Sequence, residues 1–186
     1  MDRTLLYEVR ASVYGLLSRL FLAAPDDALL AALRAPEFVT AFPLGRGAAD
    51  VEAGLARLAE VLPTVNAEAV QQEYWHLFGD LGPAAAPPWE SVYLDREHVV
   101  FGVGTLEVRA LYARFGLGFP ESSRRPDDHI GLQLEFLARL SAWTAERLDA
   151  GDEAGAADLL DGQRTCLDEH LLRWVDEYVA RVEAVS

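Results

Sequence analysis

The 186-residue sequence predicts an all-α fold, a single compact multi-helix domain over residues 1–186 with long ordered loops. Three observations predict it. Apolar residues recur three and four apart through most of the chain, the period of one buried helix face. Prolines, glycines and capping side chains stand at the ends of those runs. The one strand-like stretch, residues 89–94, has no convincing partner to pair with.

The elements follow in order. Leu5, Leu6, Val9, Val13, Leu16, Leu17, Leu20 and Phe21 line one face of a long first helix, with Pro25 just beyond its end. Asp26 caps a short helix over 26–33, and residues 36–47, rich in proline and glycine, read as turn and loop. Val51, Leu55, Leu58 and Leu62 put a helix over 49–62. Asn66 caps the next, which runs through Gln71, Tyr74 and Phe78 and stops at Gly79. Residues 80–104 break the pattern with Pro83, Pro87 and Pro88 and read as an ordered loop crossing the helices, a length that in compact domains usually carries function.

Thr105 caps a helix to Phe115, closed by Gly116. After a second loop, Pro126 takes the first position of a long helix to about Leu148, with Asp127 and Asp128 in its first turn, where the helix dipole favours acids. Gly151 and Gly162 flank a short helix, and a last helix carries Leu167, Leu171, Trp174, Val175, Tyr178 and Val182 on one stripe.

Composition narrows the function. Hydrophobic residues make up 51% of the chain, enough for a globular core without staples. Sixteen basic residues against 30 acidic ones give a net charge of −14, which repels nucleic acid and anionic membranes and attracts a cationic partner. The single cysteine, Cys166, cannot form an internal disulfide. No run of 18 apolar residues predicts a membrane span, and the acidic N-terminus lacks the apolar core of a secretory signal. The expectation is a cytoplasmic protein with no stable membrane insertion.

Few residues point to catalysis. His76, His98, His129 and His170 lack the spacing of metal ligands, and one cysteine cannot anchor a thiolate site, so no metal is expected. Neither a glycine-rich phosphate loop nor a serine elbow is present, so no cofactor is expected either. Asp128 and His129 are the one pair with acid–base character, but neighbours on a helix do not face each other. A denser signal is aromatic. Tyr74, Trp75, Leu77, Phe78, Pro88, Trp89 and Tyr93 converge on one helix end and the loop after it. Leu77 and Phe78 alone would read as core. A rigid proline pair presenting a tryptophan suits the wall of a peptide groove.

The blocks Pro87-Pro88-Trp89-Glu90-Ser91-Val92-Tyr93-Leu94-Asp95, Phe101-Gly102, Thr105-Leu106, Arg109 and Pro126-Asp127-Asp128-His129-Ile130 resemble the TorD/DmsD/NarJ redox-enzyme maturation chaperones, most of all the DmsD-like branch. Tyr74-x-x-Leu77-Phe78 upstream and His170-x-x-x-Trp174 downstream fit the same pattern, and the likeness is densest over residues 74–140. The resemblance implies a TorD-like helical protein without enzyme activity. It implies binding to the twin-arginine signal peptide of a molybdopterin oxidoreductase catalytic subunit, delaying export until cofactor insertion and folding are complete. Carried over position by position, the peptide-binding set is Tyr74, Leu77, Phe78, Pro88, Trp89, Asp128 and His129. Tyr74 stands where that branch has a tryptophan, and Arg124 and Arg125 precede Pro126 where an acid is common.

The chemistry agrees with the implied ligand. Carboxylates such as Asp128 suit guanidinium groups, and Leu77, Phe78 and Trp89 suit the apolar stretch that follows them in a leader. Two other readings stay open. One is a chaperone acting mainly on the client body for molybdenum cofactor insertion; the other is a helical enzyme using Asp128 and His129. A monomer and a domain-swapped dimer are both compatible with helices joined by hinge loops.

Overall fold

The computed structural model describes residues 2–45, 47–79, 84–95, 102–118 and 126–186. Among them lie ten α-helices: α1 (Arg3–Leu22), α2 (Asp27–Leu33), α3 (Pro36–Thr40), α4 (Ala49–Val61), α5 (Ala67–Phe78), α6 (Glu90–Leu94), α7 (Val103–Arg114), α8 (Ile130–Asp149), α9 (Glu153–Thr165) and α10 (Val175–Val185). The all-α prediction holds across the described residues. Phe101, His98, Arg124 and Arg125 lie outside them.

Helix α8 is the centre. Its apolar positions bury Ile130, Leu134, Phe136, Leu137 and Leu140 into the main core with Val108, Tyr112, Leu159, Trp174 and Tyr178. Helices α1 and α9 pack along it. Two of its buried polar groups are spent on the α9 contact: Ser141 donates to Gln163 Oε1 (3.0 Å), and Gln163 Nε2 donates to Thr144 Oγ1 (3.0 Å). Paired in this way they cost little to bury. A second, smaller cluster of Leu29, Leu30, Leu33 and Leu62 anchors α2 against Leu16 and Leu20 of α1.

The approach of α1 to α8 needs a glycine. Ser18 Oγ, buried, donates to the Gly131 carbonyl at 2.8 Å, and a Cβ on Gly131 would lie 2.7 Å from both Cγ and Cδ2 of Leu22. Gly131 is the second residue of α8, and within a helix alanine is ordinarily the better helix former, so Gly→Ala would stabilise a roomy site. Here the clash decides the sign. Gly131→Ala is expected to lower unfolding free energy by about 1–3 kcal/mol, the usual cost of overpacking. Urea titration followed by circular dichroism checks it, and a stabilised variant would show that Leu22 yields freely.

Several expected boundaries move, each for a local reason. Residues 36–47 contain α3, a single turn started by Pro36 at its first position. The strand-like run after Trp89 is helix α6; among the described residues its extended start pairs only through an isolated antiparallel bridge between Trp89 and His129. Helix α7 starts at Val103 rather than after Thr105, whose hydroxyl is used in a tertiary contact instead of as a cap. Helix α8 starts at Ile130 with His129 as its cap, so Asp127 and Asp128 precede the helix instead of filling its first turn. Gly162 lies inside α9, where a Cβ would sit 2.3 Å from Cζ of Phe115. The expected last helix is interrupted: α9 runs into a π-helical turn (Cys166–His170), then a 3₁₀ turn (Leu171–Arg173), before α10 resumes.

Candidate functional site

Two segments distant in sequence, residues 87–90 and 126–130, are stitched side by side. The Glu90 N–H donates to the Asp128 carbonyl (3.2 Å), and the Ile130 N–H donates to the Pro88 carbonyl (2.9 Å). Pro88 itself has no N–H, so its carbonyl is its only backbone contribution to the bridge. The Trp89 indole meets the His129 ring edge-on, with centroids 5.5 Å apart. Trp89 is partly exposed, but its Nε1 is buried and finds no acceptor among the described residues.

The predicted site residues fall into two groups. Trp89 and Phe78 are partly exposed. Tyr74, Leu77, Pro88, Asp128 and His129 are buried and act as framework. Tyr74 donates through its hydroxyl to the Phe21 carbonyl at 2.9 Å, tying α5 to the C-terminal end of α1. Its ring leads edge-on to Phe78 (5.3 Å), and Phe78 meets Phe21 (6.0 Å) and Tyr178 (6.4 Å). On the other side Tyr74 touches Trp75, which is 53% exposed and extends the aromatic edge beyond the predicted set.

Asp128 is presented differently from the surface guanidinium anchor expected of it. It is fully buried, with Oδ2 accepting from the Ser91 N–H (2.8 Å) and Oδ1 from the Thr105 hydroxyl (2.9 Å). The reason lies in α6. Its N-cap position is Trp89, which offers no side-chain acceptor, so Asp128 caps the helix from across the chain. His129 in turn caps α8, its Nδ1 accepting from the Gly131 N–H at 3.0 Å. Both side chains are thus committed to backbone and hydroxyl donors, and nothing in this arrangement aligns them as an acid–base pair. Asp127, one residue earlier, is also buried; its carboxylate pairs with the Arg109 guanidinium, and its carbonyl accepts from Tyr112 (3.2 Å).

Beneath the bridge lies a polar node that sequence reasoning missed. Glu90 is 1% exposed, yet its carboxylate accepts from Gln133 Nε2 (2.7 Å) and meets His170 Nδ1 (3.0 Å). A charged residue inside the run Pro87-Pro88-Trp89-Glu90-Ser91-Val92-Tyr93 was the available signal, because an acid that must be buried needs partners. Close by, burial and then the Glu90 charge push the Cys166 thiol well up, away from reactive thiolate chemistry. Among the described residues, no group of three or more potential ligands could hold a metal ion. A surface cleft lined by Tyr112, Leu117, Glu135, Phe136 and Arg139 shares no residue with the predicted peptide-binding set.

The helices of this chain brace the segment that carries Trp89 against the Asp128-His129 start of α8. The chain belongs to the nitrate reductase delta subunit family, whose model matches residues 45–180. It is 36% identical to the Tat proofreading chaperone DmsD of Salmonella typhi over 146 residues, 75% of this chain and 64% of that protein. It is 29% identical to the chaperone protein TorD of Vibrio cholerae (El Tor Inaba N16961), over 95% of this chain and 81% of that one. A solved structure from Archaeoglobus fulgidus, described as a redox enzyme maturation protein, is 26% identical with a TM-score of 0.45, covering 83% of this chain and 91% of that one. The chain therefore spans less than two thirds of the length of the DmsD relatives it matches. No described helix is long and apolar enough to cross a membrane.

Proposed function

We propose that this protein is a system-specific chaperone in redox-enzyme maturation that binds the twin-arginine leader of a molybdopterin oxidoreductase catalytic subunit and holds it back from export until the subunit is complete. The observation that carries the reading is the Trp89 edge: a large, partly exposed indole fixed by the backbone bridge to His129, continuing the identity to Tat proofreading chaperones. In this reading Trp89 and Phe78 contact the apolar stretch of the leader, and Tyr74, Leu77, Pro88, Asp128 and His129 hold them in place. A net charge of −14 speeds encounter with a basic leader and makes the association salt-sensitive.

Calorimetry with a synthetic leader peptide tests the assignment. Trp89→Ala is expected to weaken binding by about 2 kcal/mol or more, the range of an aromatic hot spot. Unchanged affinity in a folded variant would reject the edge as the binding surface. A client lacking its leader separates this reading from one in which the chaperone holds mainly the client body: the truncated client is expected to bind poorly, and full retention would favour the body.

A further inference from the structure

We propose that Glu90 is a positioning residue for the leader edge, and that through His170 it couples this edge to the break between α9 and α10; the inference rests on the leader-binding reading for its functional consequence. Glu90 follows Trp89 directly and opens α6. Its carboxylate is enclosed, and three elements converge on it: Gln133 from α8, His170 from the interrupted C-terminal helix, and the first turn of α7, where a Cβ on Gly104 would lie 3.5 Å from Oε1. Its backbone N–H is held by the Asp128 carbonyl, which also accepts from Gln133 Nε2 at 3.3 Å. Side chain and main chain of one residue therefore fix the start of α6 in two directions, and the orientation of the preceding Trp89 follows.

The C-terminal break is what delivers the imidazole. A regular α-helix through residues 166–174 would carry each side chain about 100° round the axis per residue. The π turn ends at His170, whose φ of −124° and ψ of −85° depart from helical values, and a 3₁₀ turn follows. In this register both His170 and Trp174 are buried: His170 reaches Glu90, and Trp174 stacks on Tyr93 of α6 with centroids 5.2 Å apart. The irregular turn thus grips α6 at two points, one polar and one aromatic. Single turns of π-helix are often found where a helix serves a function. Two other buried acids nearby have partners of their own, Asp127 with Arg109 and Asp128 with Ser91 and Thr105, while Asp95, whose Oδ1 lies 3.6 Å from the same Gly104 Cβ position, has a buried Oδ2 with no partner among the described residues. The C-terminal side therefore addresses the Glu90 carboxylate through His170.

The test uses the full chain and two readouts. The first is leader-peptide affinity. Glu90→Ala and His170→Ala are each expected to weaken it about tenfold, although neither side chain is exposed, with a double variant no worse than the weaker single one, as members of one unit are non-additive. Glu90→Gln keeps an acceptor and the shape, and is expected to restore affinity to within about threefold of the parent. The second readout needs no leader: the Trp89 indole N–H resonance, assigned through Trp89→Phe, is expected to shift in both alanine variants and return with Glu90→Gln. Should an alanine variant fail to fold, Glu90→Gln combined with His170→Gln provides the folded comparison, expected to shift the resonance and weaken binding. An unmoved Trp89 signal together with parental affinity in the folded variants overturns the proposal. A parent that ignores the leader while the signal still shifts leaves Glu90 as positioning residue and removes the leader-binding reading instead.

Discussion

Trp174→Ala is expected to remove a large share of the protein's folding stability. Trp174 is 1% exposed and joins the C-terminal helical arm to the rest of the core. Its indole stacks on Tyr93 at 5.2 Å and tilts against Tyr178 at 5.5 Å, and Tyr178 in turn meets Phe21 of α1 and Phe78 of α5. Truncating a buried tryptophan costs about 3–5 kcal/mol in transfer and cavity terms. A domain of this size holds only about 5–15 kcal/mol in total. Trp174→Phe is expected to cost much less, because it keeps a ring against Tyr93 and deletes an indole N–H that has no acceptor among the described residues. Urea denaturation of both variants checks the pair. A loss below about 1 kcal/mol for the alanine variant would mean that the cavity collapses and that the aromatic stack contributes little.

How much of this was legible in the sequence depends on the kind of signal. Helix α5 was readable almost to the residue, because Asn66 accepts from the Ala69 N–H at 2.8 Å and Gly79 ends the helix, both local events. The starts of α7 and α8 were misplaced by three and four residues for one shared cause. Thr105, Asp127 and Asp128 are good capping residues by type, but the structure uses them in contacts between segments far apart in sequence. Periodicity cannot show that Asp128 caps α6, because the donor, Ser91, lies 37 residues away. The same holds for the site. Its residues were identified by resemblance, and which of them face outward followed only from the fold. The pairing of Glu90 with His170 was not legible because it spans 80 residues and depends on an irregular helix turn that no spacing rule anticipates.

Asp128→Ala is the second substitution with a large expected effect, and it separates two roles for the carboxylate. Removing the side chain strips the acceptor from the Ser91 N–H in the first turn of α6 and from the Thr105 hydroxyl of α7, both in a buried setting. Hydrogen bonds to a charged group are worth about 1.5–3 kcal/mol each, so the loss is expected to be on the order of 3 kcal/mol or more. Asp128→Asn keeps an oxygen for Ser91 and can turn its amide toward the Thr105 oxygen, so about 1 kcal/mol is expected. Denaturant melts of the two variants give these values. Leader binding gives the decisive comparison. A carboxylate that only caps α6 has no direct contact with a leader arginine, so Asp128→Asn is expected to leave the dependence of affinity on salt unchanged. If the carboxylate instead swings out to pair with a guanidinium in the complex, the same variant flattens that dependence. A flattened slope would make Asp128 a direct leader contact. An unchanged slope with reduced stability would make it the brace that keeps Trp89 at the surface.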